Sequence, residues 1–331
     1  MGLPVYSPQQ LRKDVSGLFI EALMSPRPPT LVSQIATEVR SNSDRENYAW
    51  LGDAPSMVEF KDSLQHKGLS ESDVDDTDGI ANVGGTGSGY ELVNKTYEAT
   101  LKLRREDEED QKTGGLTQRV NDLATRALYN PDKILIEKLV LGASSSGTCY
   151  LGTAATAEYA FSETHAARGQ QTDTWSNIYT RTGTTTATAQ ADISGALTYL
   201  YTIKDEANEP MNHGLSSLFI LYPPAMRQWI TEAVSAGIVS STSNVQFSDQ
   251  NIKLIMCPRL AATHASNYYI GFNDPGIVRG LIYQNRQDPR FEKIGEGSDT
   301  FVDQRQVVYT VNHRGAAGFG LPQRLIYVYA A

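Results

Sequence analysis

Residues that could bind a nucleotide or a metal ion are concentrated between positions 71 and 89. The glycine cluster at 84–89 fits neither the dinucleotide fingerprint nor the phosphate loop, and a predicted strand follows it instead of a helix. Asp76, Asp78 and Gly79 match the middle of a calcium loop, but Val74 and Gly85 stand where its first and last carboxylates belong. We therefore predict a solvated acidic loop, with an adventitious divalent ion as the open alternative.

Catalytic and zinc-binding patterns are also missing from the rest of the sequence. The two cysteines, Cys149 and Cys257, fit no zinc spacing, and there is no Gly-x-Ser-x-Gly elbow for a nucleophile. The five histidines never occur in pairs at the spacing that places two imidazoles on one helical face. We predict no catalytic residue, no cofactor and no metal ligand. A hydrolase whose site is assembled only in space stays open as an alternative.

Composition limits the class of protein further. The chain has 331 residues, 40% of them hydrophobic, which is enough for real cores. Its formal net charge of −9 argues against a protein that grips nucleic acid over much of its surface. No run approaches the roughly 18 apolar residues of a membrane span, and the first ten residues lack a signal-peptide pattern. We expect a soluble protein made inside the cell.

The first half of the chain is predicted to contain a helix, a hairpin and a second helical region. Apolar residues at helical spacing predict a helix from Ser7 to Ser25, which must dock on its own body, on a neighbour or, less favourably, on a membrane surface. Residues 34–43 alternate like a half-exposed strand. The polar, glycine-dense segment 62–90 cannot order itself, and the alternating run 90–103 then predicts one long strand. Together they indicate a projecting hairpin, and the aromatic stretch 46–52, set against the strand at 90–103, is predicted to form its root.

The remaining elements predict a compact mixed domain. Residues 114–142 should form two jointed helices or one kinked helix, with Asn130-Pro131-Asp132 as the new first turn. Residues 151–190 give little periodic signal. A helix at 192–207, a buried strand at 218–221, a helix opened by Pro223-Pro224, and strands at 252–256 and 268–272 follow, and then alternating strands at 305–311 and 324–329.

Segments at both ends of the chain resemble the major head protein of Mu-like tailed phages. The similar stretches are Ile35–Val39, Glu46–Gly52, Tyr97–Thr100 with the acidic run ending at Asp110, and Val308–Val311 with Arg314–Gly320. They cover about 120 residues, and the centre agrees only in the order of its elements. The resemblance implies an α+β fold of the Hong Kong 97 phage capsid type.

The resemblance also implies a division of the chain. Residues 1–33 become the N-terminal arm and 57–104 the extended loop. Residues 34–56, 105–149 and 273–331 become the peripheral domain with a spine helix at 114–142, and 150–272 become the axial domain. Residue Phe60 departs from the family pattern, where a tryptophan is expected, and the tip of the loop is longer and more acidic.

As function, the resemblance implies a major capsid protein that self-assembles into the hexamers and pentamers of an icosahedral head. The head would enclose phage DNA without sequence-specific binding, be assembled in the host cytoplasm and form part of the virion, with portal, scaffold and decoration proteins as further partners and no membrane contact. An encapsulin-like nanocompartment shell is the alternative. The predicted assembly contacts are Leu11, Leu18, Phe19, Tyr48, Trp50 and Tyr97.

Overall fold

The computed structural model describes most of the chain outside the predicted arm and loop. The described residues are 19, 29–48, 90–104, 113–144, 147–149, 151, 158–167, 171–205, 208–235, 238–239, 242–243, 251–294 and 306–330. The predicted helix at Ser7–Ser25 lies outside them except for Phe19, which is helical. The acidic and glycine-rich segment, with its rejected nucleotide and calcium patterns, also lies outside them.

The described residues form α-helices, strands and short 3-10 turns. The helices are α1 Leu31–Ile35, α2 Thr113–Leu128, α3 Asn130–Val140, α4 Thr186–Thr202 and α5 Arg227–Ser235. The strands are β1 Ala36–Arg40, β2 Arg45–Tyr48, β3 Tyr90–Val93, β4 Lys95–Arg104, β5 Ile178–Arg181, β6 Ser217–Tyr222, β7 Ile238–Val239, β8 Thr242–Ser243, β9 Asn251–Met256, β10 Tyr268–Phe272, β11 Leu281–Ile294, β12 Gln306–Phe319 and β13 Leu325–Ala330.

Two sheets organise these elements. The four-stranded sheet has the order β1-β11-β12-β4, in which only the β1–β11 pair is parallel. The five-stranded sheet has the order β5-β13-β10-β6-β9, with parallel pairs at both edges. Strand β11 contains Pro289, and its pairing with β12 shifts register there because proline cannot donate a ladder hydrogen bond. The α+β class predicted from the sequence is present.

Four apolar clusters hold the sheets and helices together. The largest lies between α3 and both sheets and includes the fully buried Leu135 and Phe319. A second packs α4 and α5 against the five-stranded sheet, and a third packs α2 against the four-stranded sheet. The fourth is small and joins β3 to the opposite face of the four-stranded sheet. The four-stranded sheet is therefore covered by helices on one face and by the β2–β3 hairpin on the other.

Helix α4 begins and ends earlier than its sequence suggests. It starts at Thr186, where Thr185 accepts a hydrogen bond from the Thr188 backbone and the Thr188 hydroxyl bonds back to Thr185. This capping box fixes the start within a threonine-rich run that carries no hydrophobic period. The helix ends at Thr202, since Ile203 is extended. Our expected range of 192–207 was therefore shifted by about one and a half turns.

Three other elements also differ from expectation. The strand expected at 34–43 is confined to β1, because residues Leu31–Ile35 form a short helix with Thr30 as its N-cap. The helical region 113–140 is two helices joined at Tyr129, which decides between the two predicted forms. The strand expected at 90–103 is interrupted at Asn94, so that β3 pairs with β2 while β4 pairs with β12.

The last strand lies apart from the other C-terminal strands. We expected all strands after residue 273 to share one sheet. Strands β11 and β12 do so, but β13 pairs with β10 and β5 in the five-stranded sheet. The 3-10 turn Pro322–Arg324 makes this crossing, and Asn177 and Asn212 fasten it by donating hydrogen bonds to the Pro322 and Gln323 carbonyls.

Candidate functional site

The base of the predicted hairpin contains the start of the similar stretch Glu46–Gly52 and the start of the strand predicted at 90–103. Strands β2 and β3 are antiparallel, and the Tyr48–Tyr90 pair is the outermost pair described. The part of the chain that the structure describes therefore ends at Tyr48 and resumes at Tyr90 side by side. The structure confirms that residues 46–48 and the strand beginning at Tyr90 form one hairpin root.

This hairpin base lies on the sheet face that the helices leave free. The side chains of Tyr90 and Leu92 pack against Ile282 of β11 and Ala316 of β12. The hydroxyl of Tyr90 accepts a hydrogen bond of 2.9 Å from the Phe319 backbone N–H. Burial raises the pKa of Tyr90, so this phenol stays protonated.

Gly318 provides the space in which the hairpin base lies. A Cβ atom at this position would lie 2.6 Å from both methyl carbons of Leu92 and 2.6 Å from the Tyr90 hydroxyl. Real Cβ atoms do not approach other heavy atoms this closely. The small residues of the run 315–320 thus allow the two backbones to meet, which is a known reason for glycine within a strand.

Gln284 connects the two hairpin strands to β11. Its side chain has 0% exposure. Its Oε1 accepts a hydrogen bond of 2.9 Å from the Tyr48 hydroxyl, and its Nε2 donates one of 3.3 Å to the Leu92 carbonyl. Burial, followed by the nearby Glu46 charge, raises the pKa of Tyr48 to about 12, so its hydroxyl remains a donor.

A polar turn closes the inner end of the hairpin. The buried Asn94 donates hydrogen bonds to Ser41 Oγ at 2.9 Å and to the Ser43 carbonyl at 3.0 Å, and its backbone N–H bonds to the Asp44 carbonyl. One carboxylate oxygen of Glu46 accepts from Ser41 Oγ and from the backbone N–H groups of 42 and 43. These bonds lower the pKa of Glu46. They also explain the break in the strand at Asn94.

The predicted contact Phe19 lies inside its own chain. Its ring is 1% exposed and stacks on Phe291 at 4.7 Å between centroids. It belongs to the cluster that includes Val120 and Tyr309 beneath α2. The helix that contains Phe19 was expected to dock on its own body, on a neighbouring subunit or on a membrane surface. Phe19 packs against its own body. Its apolar surface is already covered without a second subunit.

Tyr48 and Tyr97 are half-buried, and they lie on different faces of the four-stranded sheet. Tyr97 stacks on His313 at 5.9 Å, and the His313 Nε2 lies 2.6 Å from the Tyr283 hydroxyl. Burial lowers the pKa of His313, which favours the neutral ring. The three predicted contacts that the structure describes, Phe19, Tyr48 and Tyr97, therefore do not lie together in one patch. Leu11, Leu18 and Trp50 lie outside the described residues.

Asp132 has a different role from the one its position suggests. It lies in the first turn of α3, but it accepts a hydrogen bond of 3.0 Å from the Val32 N–H at the start of α1. The carboxylate is 5% exposed, and burial raises its pKa. Asp132 thus satisfies the free N–H groups of a neighbouring helix.

Sequence reasoning missed Gln284, Gly318 and Asn94 as parts of this site. The small-residue run 315–320 was quoted for its resemblance but without a physical role. Its signal was the occurrence of glycine and alanine at four successive positions, 315–318, shortly after the strand predicted at 305–311, because glycine within a strand indicates close approach of another backbone. Gln284 and Asn94 carried no local signal, because their partners are remote in sequence.

The described residues contain no group of three or more His, Cys, Asp or Glu side chains that could hold a metal ion. Within the same residues, no helix combines the length and apolar character needed to span a membrane. Cys149 and Cys257 are both buried, and neither forms a disulfide.

Comparison with known proteins places this architecture. The major capsid protein of Escherichia phage Mu is 27% identical over 143 residues, which are 43% of this chain and 38% of that protein. The chain thus spans well under half the length of this curated relative. The procapsid protein of bacteriophage JBD30 is 18% identical, covers 98% of this chain and 75% of its own, and superposes with a TM-score of 0.52.

A virus-like particle from Pyrococcus furiosus has nearly the same structural similarity. It is 9% identical, covers 96% of this chain and 98% of its own, and has a TM-score of 0.51. The structural neighbours therefore establish the Hong Kong 97 type of fold but do not separate one kind of shell from another.

The sequence makes that separation. A family profile described as the Mu-like prophage major head subunit gpT matches residues 9–200 and 261–330. The matched ranges contain both hairpin strands, all of β11 and the whole small-residue run of β12. The chain belongs to the Mu-like prophage major head subunit gpT family.

Proposed function

We propose that this chain is the major capsid protein of a Mu-like phage and that copies of it assemble into the closed head of the virion. The observation that carries the proposal is the seating of the hairpin base on the small-residue strand. Two segments more than 200 residues apart in the sequence (90–92 and 315–320), both within the family match, meet there. A side-by-side exit on a firmly held base suits a projection that reaches a neighbouring subunit.

The assembly unit in this proposal is the hexamer, with pentamers at the vertices of an icosahedral shell. Each contact in such a lattice can be modest, because many identical contacts act together around a closed ring. Total burial per subunit would exceed the roughly 2,000 Å² at which obligate interfaces begin. The implied portal, scaffold and decoration proteins would bind this shell from outside or within.

The two sheets support a division of the chain into a peripheral part and an axial part. The four-stranded sheet with α2 and α3 forms the peripheral part, and the five-stranded sheet with α4 and α5 forms the axial part. Residues 1–33 act as the arm and 57–104 as the extended loop. The topology modifies the sequence-based division in one respect, because β13 pairs within the five-stranded sheet.

The proposed contact with DNA is enclosure without specific recognition. The formal net charge of −9 opposes tight binding, since phosphate contacts require clustered Lys and Arg. Enclosure by geometry needs no catalytic activity, and we assign none. A gel-shift titration of unassembled protein should give no sub-micromolar binding at any salt concentration.

Electron microscopy of the purified chain tests the function directly. We expect closed particles, tubes or hexameric rings, formed without any added enzyme or cofactor. A chain that stays monomeric at high concentration, with scaffold protein supplied, would overturn the proposal. Particles that co-purify with a cargo enzyme instead of DNA would favour the nanocompartment.

A further inference from the structure

Gln284 is a buried polar residue. Both hydrogen bonds described for its side-chain amide go to the hairpin. Strand β11 places it between Val39 of β1 and Ala316 of β12, on the face that carries the hairpin base. At 0% exposure, its amide has no access to bulk water. A buried amide without partners would be costly, so its two contacts decide where the hairpin can lie.

The two contacts demand opposite hydrogen-bonding roles. The Leu92 carbonyl can only accept, so the amide NH₂ must face it, and the amide oxygen then faces the Tyr48 hydroxyl. One side chain thereby holds both strands of the hairpin, β2 through Tyr48 and β3 through its backbone. An amide of this length can do both, whereas a carboxylate or a thioether of similar volume cannot.

Apolar packing alone would leave the hairpin base less well defined. Among the described residues, the apolar cluster at the hairpin base has four buried members, Tyr90, Leu92, Ile282 and Ala316. Apolar contact is non-directional, and a small cluster permits rocking about its long axis. Hydrogen bonds with required donor and acceptor positions remove that freedom. Because they lie at the root, a small rotation there would be amplified along any segment extending from it.

We propose that Gln284 is a positioning residue that sets the direction in which the hairpin leaves the body, and with it the uniformity of the assembled particle. This inference rests on the proposed function, since uniformity has meaning only for a chain that assembles. In a closed lattice, subunits at equivalent positions must present their projections at the same angle. A root that rocks would produce open sheets, tubes and closed particles of mixed size.

Three substitutions separate the two hydrogen bonds while leaving the volume nearly unchanged. Tyr48→Phe removes the bond to Oε1. Gln284→Glu, measured above the pKa of the new carboxyl so that it carries no proton, keeps an acceptor for Tyr48 but loses the donor to Leu92. Gln284→Met removes both. Gln287→Met is the matched control, because Gln287 lies on the same strand, is part-buried, and its described bond goes to Asn312 of β12 at 3.3 Å.

Hydrogen exchange of the unassembled chain tests the root independently of assembly. We expect amides in 90–94 to exchange about tenfold faster in Gln284→Met, with smaller increases in the two single-bond variants, in line with roughly one hydrogen bond each. Gln287→Met should exchange like the wild type in this segment. Unchanged exchange in Gln284→Met would overturn the positioning role even if the wild type never assembles.

Particle images test the second half of the inference. Among variants whose thermal midpoint stays near that of the wild type, the fraction of closed, uniform particles should fall in the order wild type, single-bond variants, Gln284→Met. Uniform wild-type-like particles from Gln284→Met, despite faster exchange at the root, would overturn the link to uniformity. A wild-type chain that forms no particles would instead count against the proposed function.

Discussion

The two faces of the four-stranded sheet are built on different principles. On the helix-bearing face, the buried side chains of Tyr309 and Phe319 pack against α2 and α3, and α3 itself contributes the buried Leu135. The hairpin-bearing face has the small residues Ala316 and Gly318 at its contact with the hairpin. Hydrogen bonds of Gln284 and of the Tyr90 hydroxyl fix the hairpin on this face. The first arrangement removes much apolar surface from water. The second buries little apolar surface but contains hydrogen bonds, which have a required geometry.

One face of the sheet therefore contributes mainly to the stability of the whole chain, and the other mainly to the orientation of the hairpin. Loss of a large side chain on the helix-bearing face should lower the free energy of unfolding of the whole chain. A change on the hairpin-bearing face should act mainly on the root of the hairpin. Measurements of global unfolding and of local hydrogen exchange can therefore test whether the two faces differ in this way.

The largest effect should come from Leu135→Ala on the helix-bearing face. Leu135 is 0% exposed in the main core, so its truncation leaves a cavity and should lower the free energy of unfolding by about 3 kcal/mol. Denaturant unfolding of the unassembled chain measures this. Leu141→Ala, at the 41% exposed end of the same helix, is the control and should change stability by less than about 0.5 kcal/mol. Equal effects would contradict the assignment of the core.

A smaller effect should follow from Gly318→Ala on the hairpin-bearing face. The added methyl group collides with Leu92 and the Tyr90 hydroxyl, and such overpacking costs about 2 kcal/mol. Exchange in 90–93 should rise more than exchange in the five-stranded sheet. The double variant Gly318→Ala with Leu92→Ala should be less destabilised than the sum of the two single changes. Additive costs would mean that Leu92 is not the obstacle.

The smallest predicted effect is a pH dependence at Asp132, a polar group on the helix-bearing side. Burial raises its pKa, so the folded state favours the protonated carboxyl, and the stability this confers is lost as pH rises through the folded pKa. The free energy of unfolding of Asp132→Asn, relative to the wild type, should therefore increase between about pH 4 and pH 7.

Asp288→Asn provides a control of opposite sign. The hydrogen bond from Arg40 lowers the pKa of Asp288, so its contribution is present above the unfolded pKa and is lost as pH falls through the folded value. Relative to the wild type, this variant should lose stability as pH rises over the lower part of the same range. The same trend in both variants would contradict the burial argument for Asp132.

Much of the fold follows from local signals. The buried strand β6, the proline-opened α5 and the joint before α3 all carried hydrophobic period or a proline at the first turn. The hairpin root was predicted from the aromatic stretch at 46–52 and the strand after Tyr90. The interruption at Asn94 was not predictable. The alternation of side chains between the two faces continues through this position in the sequence, and the strand is broken by hydrogen bonds from Asn94 to residues 41–44.

The candidate site was less accessible to sequence reasoning. The partners of Gln284 lie 236 and 192 residues away, and no local period reports such a contact. Phe19 was chosen as an assembly contact because its helix lacked a partner in the sequence, yet its ring stacks on Phe291. An apolar face tells us that burial is needed, while the chain's long-range topology decides what supplies it.

The side-by-side pairing of Tyr48 with Tyr90 has a consequence for tolerance to sequence change. Because both ends of the intervening segment are fixed at one place, replacing it with a longer or shorter one changes mainly the entropy of closing a loop. That cost grows with the logarithm of length, by about 0.6 kcal/mol per doubling. The body should thus accept foreign peptides between these two tyrosines while keeping its own fold, which makes this position a natural graft point for peptide display.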